Sequence, residues 1–195
     1  SIFIAIKGSN TDGNTFIEEA FKKGACLVIV ENKDKLLEES KLLKEFISIN
    51  NSPILEVLDT KAIFSILIYS FHVSNLKAQI ITITGTNGKS STAFFTSQFL
   101  NLLKYKTMIV GTLGIFVNGK KISDSLTTPD AKTLIPFLKI ATTQNIDYII
   151  IEASSHGLDQ KRILGLNIFA AGFTNLTQDH LDYHKTISNY YSIKK

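Results

Sequence analysis

Residues 84–91 read TGTNGKSS, and glycine, lysine and hydroxyl residues at this spacing are typical of a loop that binds phosphate. Glycines let the backbone turn tightly and present successive N–H groups, and the positive end of a following helix favours an anion. In such a loop Lys89 provides a cation for the β and γ phosphates and Ser90 a hydroxyl ligand for magnesium. The general pattern wants glycine at position 83, where this chain has Ile83, so the segment matches a variant loop. An ordinary strand-to-helix turn is the alternative interpretation.

An acidic residue follows a second apolar run, at residues 148–151. This run predicts a strand that delivers Glu152 to the edge of a sheet. Carboxylate oxygens are ligands that Mg²⁺ prefers, so Glu152 is the second candidate metal ligand beside the phosphate loop. Alone, an acid after a strand more often marks a solvated strand end.

Strand and helix signals alternate along the first part of the chain. Apolar runs predict strands at residues 2–6, 25–30 and 53–57, and helical patterns lie at residues 15–23, 33–46 and 60–71. Gly24 is placed to end the first helix. These elements predict one small α/β unit, and the polar segment 72–79 predicts a domain boundary.

The second part opens on a strand at residues 80–83, the glycine-rich loop and a helix. Phe95, Phe99, Leu102 and Leu103 fall on one face of that helix, as in an amphipathic helix. A strand at residues 107–111 follows, and Asn118-Gly119 predicts a tight hairpin. A helix is predicted at residues 131–143, with a kink or a later start at Pro136. Residues 148–151 and 168–173 are predicted as buried strands.

The predicted fold class is therefore α/β. A small N-terminal α/β domain, residues 1–76, precedes the first part of a phosphate-loop domain with a mostly parallel sheet, residues 77–195. Ligands of such sheets bind at the carboxyl ends of the strands.

Composition excludes several classes of protein. The net charge of +4 is spread along 195 residues without a basic block, so no nucleic-acid partner is expected. The apolar runs are too short to span a bilayer, and no secretory signal pattern is present, so a cytoplasmic protein without membrane insertion is expected. The single Cys26 cannot form an intrachain disulfide, which fits a reducing compartment. The string Ser154-Ser155-His156 could suggest a hydrolase, but it lacks the G-x-S-x-G nucleophile elbow, so hydrolase chemistry is not expected.

Several strings together resemble the Mur ligase family and, within it, the UDP-N-acetylmuramoyl-tripeptide synthetases. They are TGTNGKSS at 84–91, TTPD at 127–130, EASSHGLDQKR at 152–162 and FTNLTQDHLDYH at 173–184. The string IAIKGSNTDG at 4–13 looks like the family's uridine-nucleotide domain. The phosphate loop alone is shared with folylpolyglutamate and cyanophycin synthetases. The family's fold implies that the start of the first domain, the end of the central domain and the whole amino-acid-binding third domain are absent here.

The resemblance implies roles for matching positions. It implies catalytic roles for Lys89 and Glu152, with His180 as ligand of a second magnesium; a hydrogen-bonded structural histidine is the alternative. Lys194 falls where the family carries a lysine modified to a carbamate, which could also bind metal; a solvated tail is the alternative. The implied ATP-binding residues are Gly85, Thr86, Asn87, Gly88, Lys89, Ser90 and Ser91. The implied substrate-binding residues are Thr127, Thr128, Ser154, Gln160 and Arg162, for which capping, turn or surface roles are the alternative.

The implied reaction uses ATP and Mg²⁺ to add the third amino acid, of the lysine or diaminopimelate class, to UDP-N-acetylmuramoyl-L-alanyl-D-glutamate through an acyl phosphate. A monomer is expected. Two alternatives are open: a nucleotide-binding fragment that is inactive on its own, and a ligase of the folylpolyglutamate type.

Overall fold

The computed structural model describes residues 1–8, 11–39, 44, 47–48 and 53–195. The chain divides into two units, Ser1–Phe64 and Ser65–Lys195. The expected domain boundary between residues 76 and 77 lies beyond this division, and the assignment of domains to those ranges stays a prediction.

The first unit is built on short apolar strands that pair in parallel in the order β1-β2-β3. The strands are β1 (Ile2–Ile4), β2 (Leu27–Val30) and β3 (Ile54–Glu56). A 3₁₀ turn (Gly13–Phe16), α1 (Ile17–Lys22), α2 (Lys33–Glu39) and the start of α3 (Thr60–His72) complete it. Its core contains Ala5, Ile17, Val28, Val30 and Leu36. Most of the predicted helix after Glu39, and Asn10 in the predicted loop, lie outside the described residues.

The second unit contains a six-stranded sheet in the order β7-β6-β5-β8-β4-β9. Neighbouring strands among β5, β8, β4 and β9 pair in parallel, which confirms the mostly parallel sheet. Strand β6 pairs antiparallel with both β5 and β7. The strands are β4 (Gln79–Thr84), β5 (Thr107–Gly111), β6 (Gly114–Val117), β7 (Lys120–Ser123), β8 (Tyr148–Glu152) and β9 (Ile168–Phe173). The helices are α4 (Lys89–Leu102), α5 (Ala131–Thr143), α6 (Ser155–Asp159), α7 (Leu181–His184) and α8 (Ile187–Lys194).

The predicted hairpin is confirmed. Asn118 and Gly119 have φ angles of 47° and 82°, and they join the antiparallel strands β6 and β7. Two successive residues with positive φ form the turn that matches the twist of paired strands, which is why Asn-Gly favours it.

Helix α5 begins at Ala131, so the prediction of a later start at Pro136 was wrong. Asp130 caps the helix by accepting a hydrogen bond from the Thr133 N–H at 2.8 Å. Buried side chains including Leu134 and Leu138 hold the first turns against the core, and this tertiary packing offsets the backbone hydrogen bond that proline removes.

The predicted apolar face of α4 does not pack on the core. Phe95, Phe99, Leu102 and Leu103 are exposed, and the helix instead buries the small residues Ala93 and Ser97. Ser97 is linked to β5 by a 2.7 Å hydrogen bond with the Thr107 hydroxyl. Small side chains let the helix lie close to the sheet, so that the bulkier stripe faces outward.

Strand β9 was predicted to be buried, and this prediction was wrong. It pairs only with β4 among the described strands and forms one edge of the sheet, where Phe169 and Phe173 are exposed. Among the described residues, no helix combines the length and the apolar character needed to cross a bilayer.

Candidate functional site

The candidate site lies where parallel strands β4, β5 and β8 end. The phosphate loop, residues 84–91, leaves the end of β4, and Glu152 is the last residue of β8. Ile83 pairs with Glu152 in the β4–β8 ladder, so the two motifs predicted from sequence are neighbours. The polar groups therefore meet at the sheet edge where α/β proteins bind ligands.

Two glycines shape the phosphate loop. Gly85 has a φ of 137°, and a Cβ atom at this position would collide with the Thr174 hydroxyl. Gly88 has a φ of 81° and is the N-cap of α4. A side chain at either position would therefore strain the backbone, and at Gly85 it would also displace the segment after β9.

Residues after β9 brace the loop from outside. Asn175 accepts hydrogen bonds from the N–H groups of Thr86 and Asn87, through its carbonyl at 2.9 Å and its side chain at 3.0 Å. The Thr174 hydroxyl donates to the Asn87 carbonyl at 2.6 Å. These contacts fix the curvature of the loop before α4 begins.

The start of α4 presents N–H groups suited to an anion. The first N–H groups of a helix have no partner within it, and here they belong to Lys89, Ser90 and Ser91. The helix dipole adds partial positive charge at the same place.

Lys89 adds a full positive charge to the loop. Its ammonium group donates to the carbonyls of Gly85 at 3.0 Å and Thr86 at 2.8 Å, both of them neutral groups. Burial lowers the pKa of Lys89, while the carboxylates of Glu152 and Asp179 act in the opposite direction. The position suits a contact with phosphate at the helix start.

Glu152 is fully buried and held by neutral donors. Its Oε2 accepts hydrogen bonds from the Ser90 hydroxyl at 2.8 Å and the Thr112 hydroxyl at 3.1 Å. Its Oε1 accepts the Thr112 N–H at 3.2 Å. A buried carboxylate is costly without a compensating charge, and none of these donors carries one.

The residues at this point fit a magnesium ion. The Ser90 hydroxyl and the Glu152 carboxylate are hard oxygen donors that already lie 2.8 Å apart, and Mg²⁺ favours one or two such protein ligands together with substrate phosphates. A divalent cation here would add to the charge compensation that the nearby Lys89 already gives this carboxylate. Gly111 keeps room for the carboxylate, since a Cβ atom there would collide with it.

The expected substrate-binding residues are brought together beside Glu152. The Thr128 hydroxyl is buried, donates to the Glu152 carbonyl at 2.7 Å and accepts the Ser154 N–H at 2.8 Å. Thr127 joins through its hydroxyl, which lies 2.9 Å from that of Thr112. Ser154 also caps α6 by accepting the Gly157 N–H at 3.1 Å, so the capping role considered for it is present.

Arg162 extends this network. Its guanidinium donates to the Thr128 carbonyl at 2.6 Å and, through two nitrogens, to the Gln160 amide oxygen at 2.8 and 3.1 Å. All of its partners are neutral, so Arg162 keeps a net positive charge beside the threonine pair. This charge suits a carboxylate or a phosphate.

Gly157 allows α6 to lie against Thr128, and we expect Gly157→Ala to destabilise the protein by about 1–3 kcal/mol. An added Cβ would lie 2.5–2.8 Å from the Thr128 side-chain atoms, which hydrogen bonds hold in place. Urea unfolding of the variant measures the change. Gly119→Ala is the control for steric contact, because a Cβ there meets nothing within 4 Å and leaves only the strain of its positive φ. Equal stability of Gly157→Ala and the wild type would contradict the packing described here.

His180 lies in an aromatic cluster. Its Nε2 is 3.4 Å from Asp179 Oδ2, and its ring packs edge-on against His156 with centroids 4.9 Å apart. Within the part of the chain that the structure describes, no group of three or more His, Cys, Asp or Glu side chains is arranged to hold a metal. The second-magnesium role of His180 therefore stays a prediction.

Lys194 reaches the phosphate loop from α8. It is 7% exposed, and its Nζ donates to the Gly85 carbonyl at 2.7 Å. Burial, and then the charge of Lys89, lower the pKa of Lys194 to about 8, with Asp179 acting in the opposite direction. The solvated-tail interpretation of Lys194 is wrong, because the side chain points into the site.

Sequence reasoning missed Thr112, Asn175 and Tyr190. Thr112 holds both oxygens of Glu152, Asn175 braces the loop, and the Tyr190 hydroxyl lies 3.1 Å from that of Thr86. Asn175 lies inside the FTNLTQDH string, where its amide could have been noted. Thr112 and Tyr190 belong to no sequence motif, since the tertiary structure alone brings them to the site.

The first unit has a cavity of its own, of about 500 Å³. The Asn14 Oδ1 atom, on a residue that lines it, is buried and has no hydrogen-bond partner among the described residues. The 3₁₀ turn holding Asn14 follows directly on the segment 4–13. Basic, acidic and amide side chains line the cavity, among them Lys7, Asp12, Glu31, Asn32 and Lys35.

Comparison with known proteins places this geometry in a family. The model of the Mur ligase middle domain matches residues 83–195. The chain is 37% identical to the UDP-N-acetylmuramoyl-L-alanyl-D-glutamate–2,6-diaminopimelate ligase of Phocaeicola vulgatus, over all of the chain and 38% of that protein. It is 42% identical to the ligase of the same name from Buchnera aphidicola, over 99% of the chain and 38% of the relative. The chain thus spans less than two fifths of these relatives.

Comparison with solved structures also finds proteins of similar fold. A structure of a UDP-N-acetylmuramoyl-L-alanyl-D-glutamate–2,6-diaminopimelate ligase matches all of this chain and 37% of its own, with a TM-score of 0.75 and 29% identity. E. coli FolC, in complex with DHPP and ADP, matches 69% of the chain and 37% of its own with a TM-score of 0.53, and at 18% identity it shows a common fold alone. By its middle-domain sequence, its fold and the residues at the ends of its parallel strands, the chain belongs to the Mur ligase family.

Proposed function

We propose that the chain is the nucleotide-binding part of an ATP-dependent ligase that adds the third amino acid to UDP-N-acetylmuramoyl-L-alanyl-D-glutamate. The observation that carries the proposal is the 2.8 Å contact between Ser90, at the start of α4, and the buried Glu152. This contact joins a phosphate-binding helix start to a metal-binding carboxylate. The relatives named for this reaction support the choice of substrate.

The reaction makes an amide bond in two steps. The substrate carboxylate attacks the γ phosphorus of ATP and ADP leaves, which gives an acyl phosphate; an amine then displaces phosphate and loses a proton. The main obstacle is repulsion between the carboxylate and the triphosphate. The N–H groups at the start of α4 and Lys89 hold the phosphates and offset this repulsion.

Magnesium, held by Ser90 and Glu152, would neutralise phosphate charge, and His180 and a carbamylated Lys194 are the proposed ligands of a second ion. Thr127, Thr128, Ser154, Gln160 and Arg162 are proposed to bind the muramoyl peptide. Arg162 is placed to pair with its carboxylate or phosphate groups, because no acidic group is among its hydrogen-bond partners.

The cavity of the first unit is the proposed site for the uridine nucleotide. Its volume of about 500 Å³ is within the range for a small ligand. The buried Asn14 Oδ1 could accept a hydrogen bond from a base N–H. A ligase of the folylpolyglutamate type is disfavoured, because the segment 4–13 resembles a uridine-nucleotide domain.

Lys194 is proposed to form a carbamate. Only the neutral amine adds CO₂, and at pH 8 a lysine with its pKa lowered to about 8 is about half neutral, whereas an ordinary lysine is below about 1% neutral. In ¹³C-bicarbonate we therefore expect a carbamate signal that increases as the pH rises from 7 to 8.5. The signal should be absent in Lys194→Arg and present in Lys195→Arg. An equal signal in the wild type and Lys194→Arg would contradict the assignment.

ADP release tests the proposed function. The UDP-muramoyl dipeptide is supplied with ATP, Mg²⁺ and either diaminopimelate or lysine, to this chain and to a version extended to the length of its relatives. Turnover with diaminopimelate by the extended version supports the ligase. If only the extended version releases ADP, this chain is a nucleotide-binding fragment that is inactive on its own. No turnover by either would overturn the ligase assignment.

The protein is proposed to act as a monomer in the cytoplasm, with the UDP-muramoyl dipeptide and an amino acid as partners and without nucleic acid.

A further inference from the structure

Tyr190 contacts several groups of the candidate site at once. It is 1% exposed and lies on α8, four residues before Lys194, so both side chains are on the same face of the helix. Its hydroxyl is 3.1 Å from the Thr86 hydroxyl. The Lys194 amine lies over its ring, 4.7 Å from the centroid.

The direction of the hydroxyl contact follows from counting protons. Thr86 Oγ1 accepts the Thr177 N–H at 3.0 Å and donates its single proton to the Thr177 carbonyl, which can only accept, at 3.1 Å. Tyr190 must therefore donate to the remaining lone pair of Thr86 Oγ1. The tyrosine hydroxyl thus holds the loop through a hydrogen bond between two buried residues.

The aromatic ring of Tyr190 contacts the Lys194 side chain. The aromatic face closes one side of the path along which Lys194 reaches the Gly85 carbonyl at 2.7 Å. The ring also contacts the imidazoles of His184 and His180, with centroids 5.3 and 6.4 Å from its own. The ring is therefore buried between Lys194 and two imidazoles, which fix its position beside the amine.

We propose that Tyr190 is a positioning residue, whose hydroxyl fixes Thr86 in the phosphate loop and whose ring directs the Lys194 amine to Gly85. The role of the loop rests on the proposed function, whereas the placement of Lys194 does not. Tyr190 thereby links α8 to the nucleotide site.

Two substitutions separate the hydroxyl from the ring. Tyr190→Phe keeps the ring and removes the donor to Thr86; we expect the affinity for a non-hydrolysable ATP analogue with Mg²⁺ to fall about three- to tenfold, as for one lost hydrogen bond. Labelling of the Lys194 amine by acetic anhydride, measured by mass spectrometry relative to the exposed Lys195, should stay within about twofold of the wild type. Tyr190→Leu should increase that labelling at least about fivefold and lower the affinity further.

The neighbouring Tyr191 is the matched control, since it is on the same helix but 45% exposed. Its Phe and Leu variants should change neither quantity. Thermal unfolding monitors the fold, and Tyr190→Met replaces the leucine variant if that variant does not fold.

If Tyr190 had a purely structural role, its substitutions would change Lys194 labelling, nucleotide affinity and thermal stability together. Tyr190→Phe would then not lower the affinity while leaving the labelling unchanged. That result, or wild-type labelling of Lys194 in the variant without the ring, would overturn the proposal. If the wild type bound no nucleotide, the proposed function would fail, while the labelling comparison would still decide whether Tyr190 places Lys194. If nucleotide binding depended on Lys89 but not on the Tyr190 hydroxyl, only the positioning role would fail.

Discussion

Lys89→Met is expected to weaken binding of a non-hydrolysable ATP analogue by about 10- to 150-fold. The ammonium group lies among the loop carbonyls of Gly85 and Thr86, at the start of α4, and both of these hydrogen-bond partners are neutral. Methionine keeps the length of the side chain and removes the charge. A hydrogen bond to a charged group contributes about 1.5–3 kcal/mol, which corresponds to the expected range.

Titration calorimetry with Mg²⁺ present measures this change. Lys139→Met, which removes an exposed lysine from α5, is the control and should bind like the wild type. Burial of the charged form lowers the pKa of Lys89, so removal of the charge should not destabilise the fold. Wild-type affinity in Lys89→Met would show that the loop does not hold the phosphates.

Glu152→Gln is expected to remove the magnesium dependence of nucleotide binding. In the wild type, Mg²⁺ should strengthen binding at least about tenfold, because the proposed ion would be shared between phosphate and a buried carboxylate. Glutamine has the same shape, and its one amide oxygen can accept from the Ser90 and Thr112 hydroxyls. Its NH2 group cannot accept the Thr112 N–H, and it brings no charge to the metal. The ratio of affinities with Mg²⁺ and with EDTA should therefore fall to about one or two.

Glu56 offers a matched control, since it also ends an apolar strand but is exposed and lies in the first unit. Glu56→Gln should keep the magnesium dependence. An unchanged dependence in Glu152→Gln would exclude this carboxylate as a ligand, even if the nucleotide still bound to the loop.

Local sequence patterns predicted the features that depend on local chemistry. The phosphate loop required glycine at positions 85 and 88, and both have positive φ angles. Asn118-Gly119 forms the expected hairpin for the same reason. The parallel arrangement of β4 and β8 then followed from alternating strands and helices, and it places Glu152 beside the loop.

Burial was predicted less well, because periodicity does not say which stripe of a helix faces the sheet. Helix α4 carries two stripes with the same spacing, one of small residues with Ala93 and Ser97, and one of large residues with Phe95 and Phe99. The sheet packs against the small residues, which permit a close approach. Similarly, the apolar run of β9 does not reveal that the strand lies at an edge.

Long-range contacts account for the rest of the site. Thr112 reaches Glu152 because β5 and β8 pair in register, with Val110 beside Ile151. Tyr190 reaches Thr86 across most of the length of the second unit. A single threonine or tyrosine has no spacing that a sequence pattern could detect, so only the folded structure identifies these two residues.

The most direct measurement is a crystal structure of the chain with Mg²⁺ and a non-hydrolysable ATP analogue. The phosphates should lie against the loop at residues 85–91 and the first N–H groups of α4, with the metal between Ser90, Glu152 and the phosphate oxygens. A triphosphate bound anywhere else, or a metal that touches neither Ser90 nor Glu152, would contradict the proposed nucleotide site.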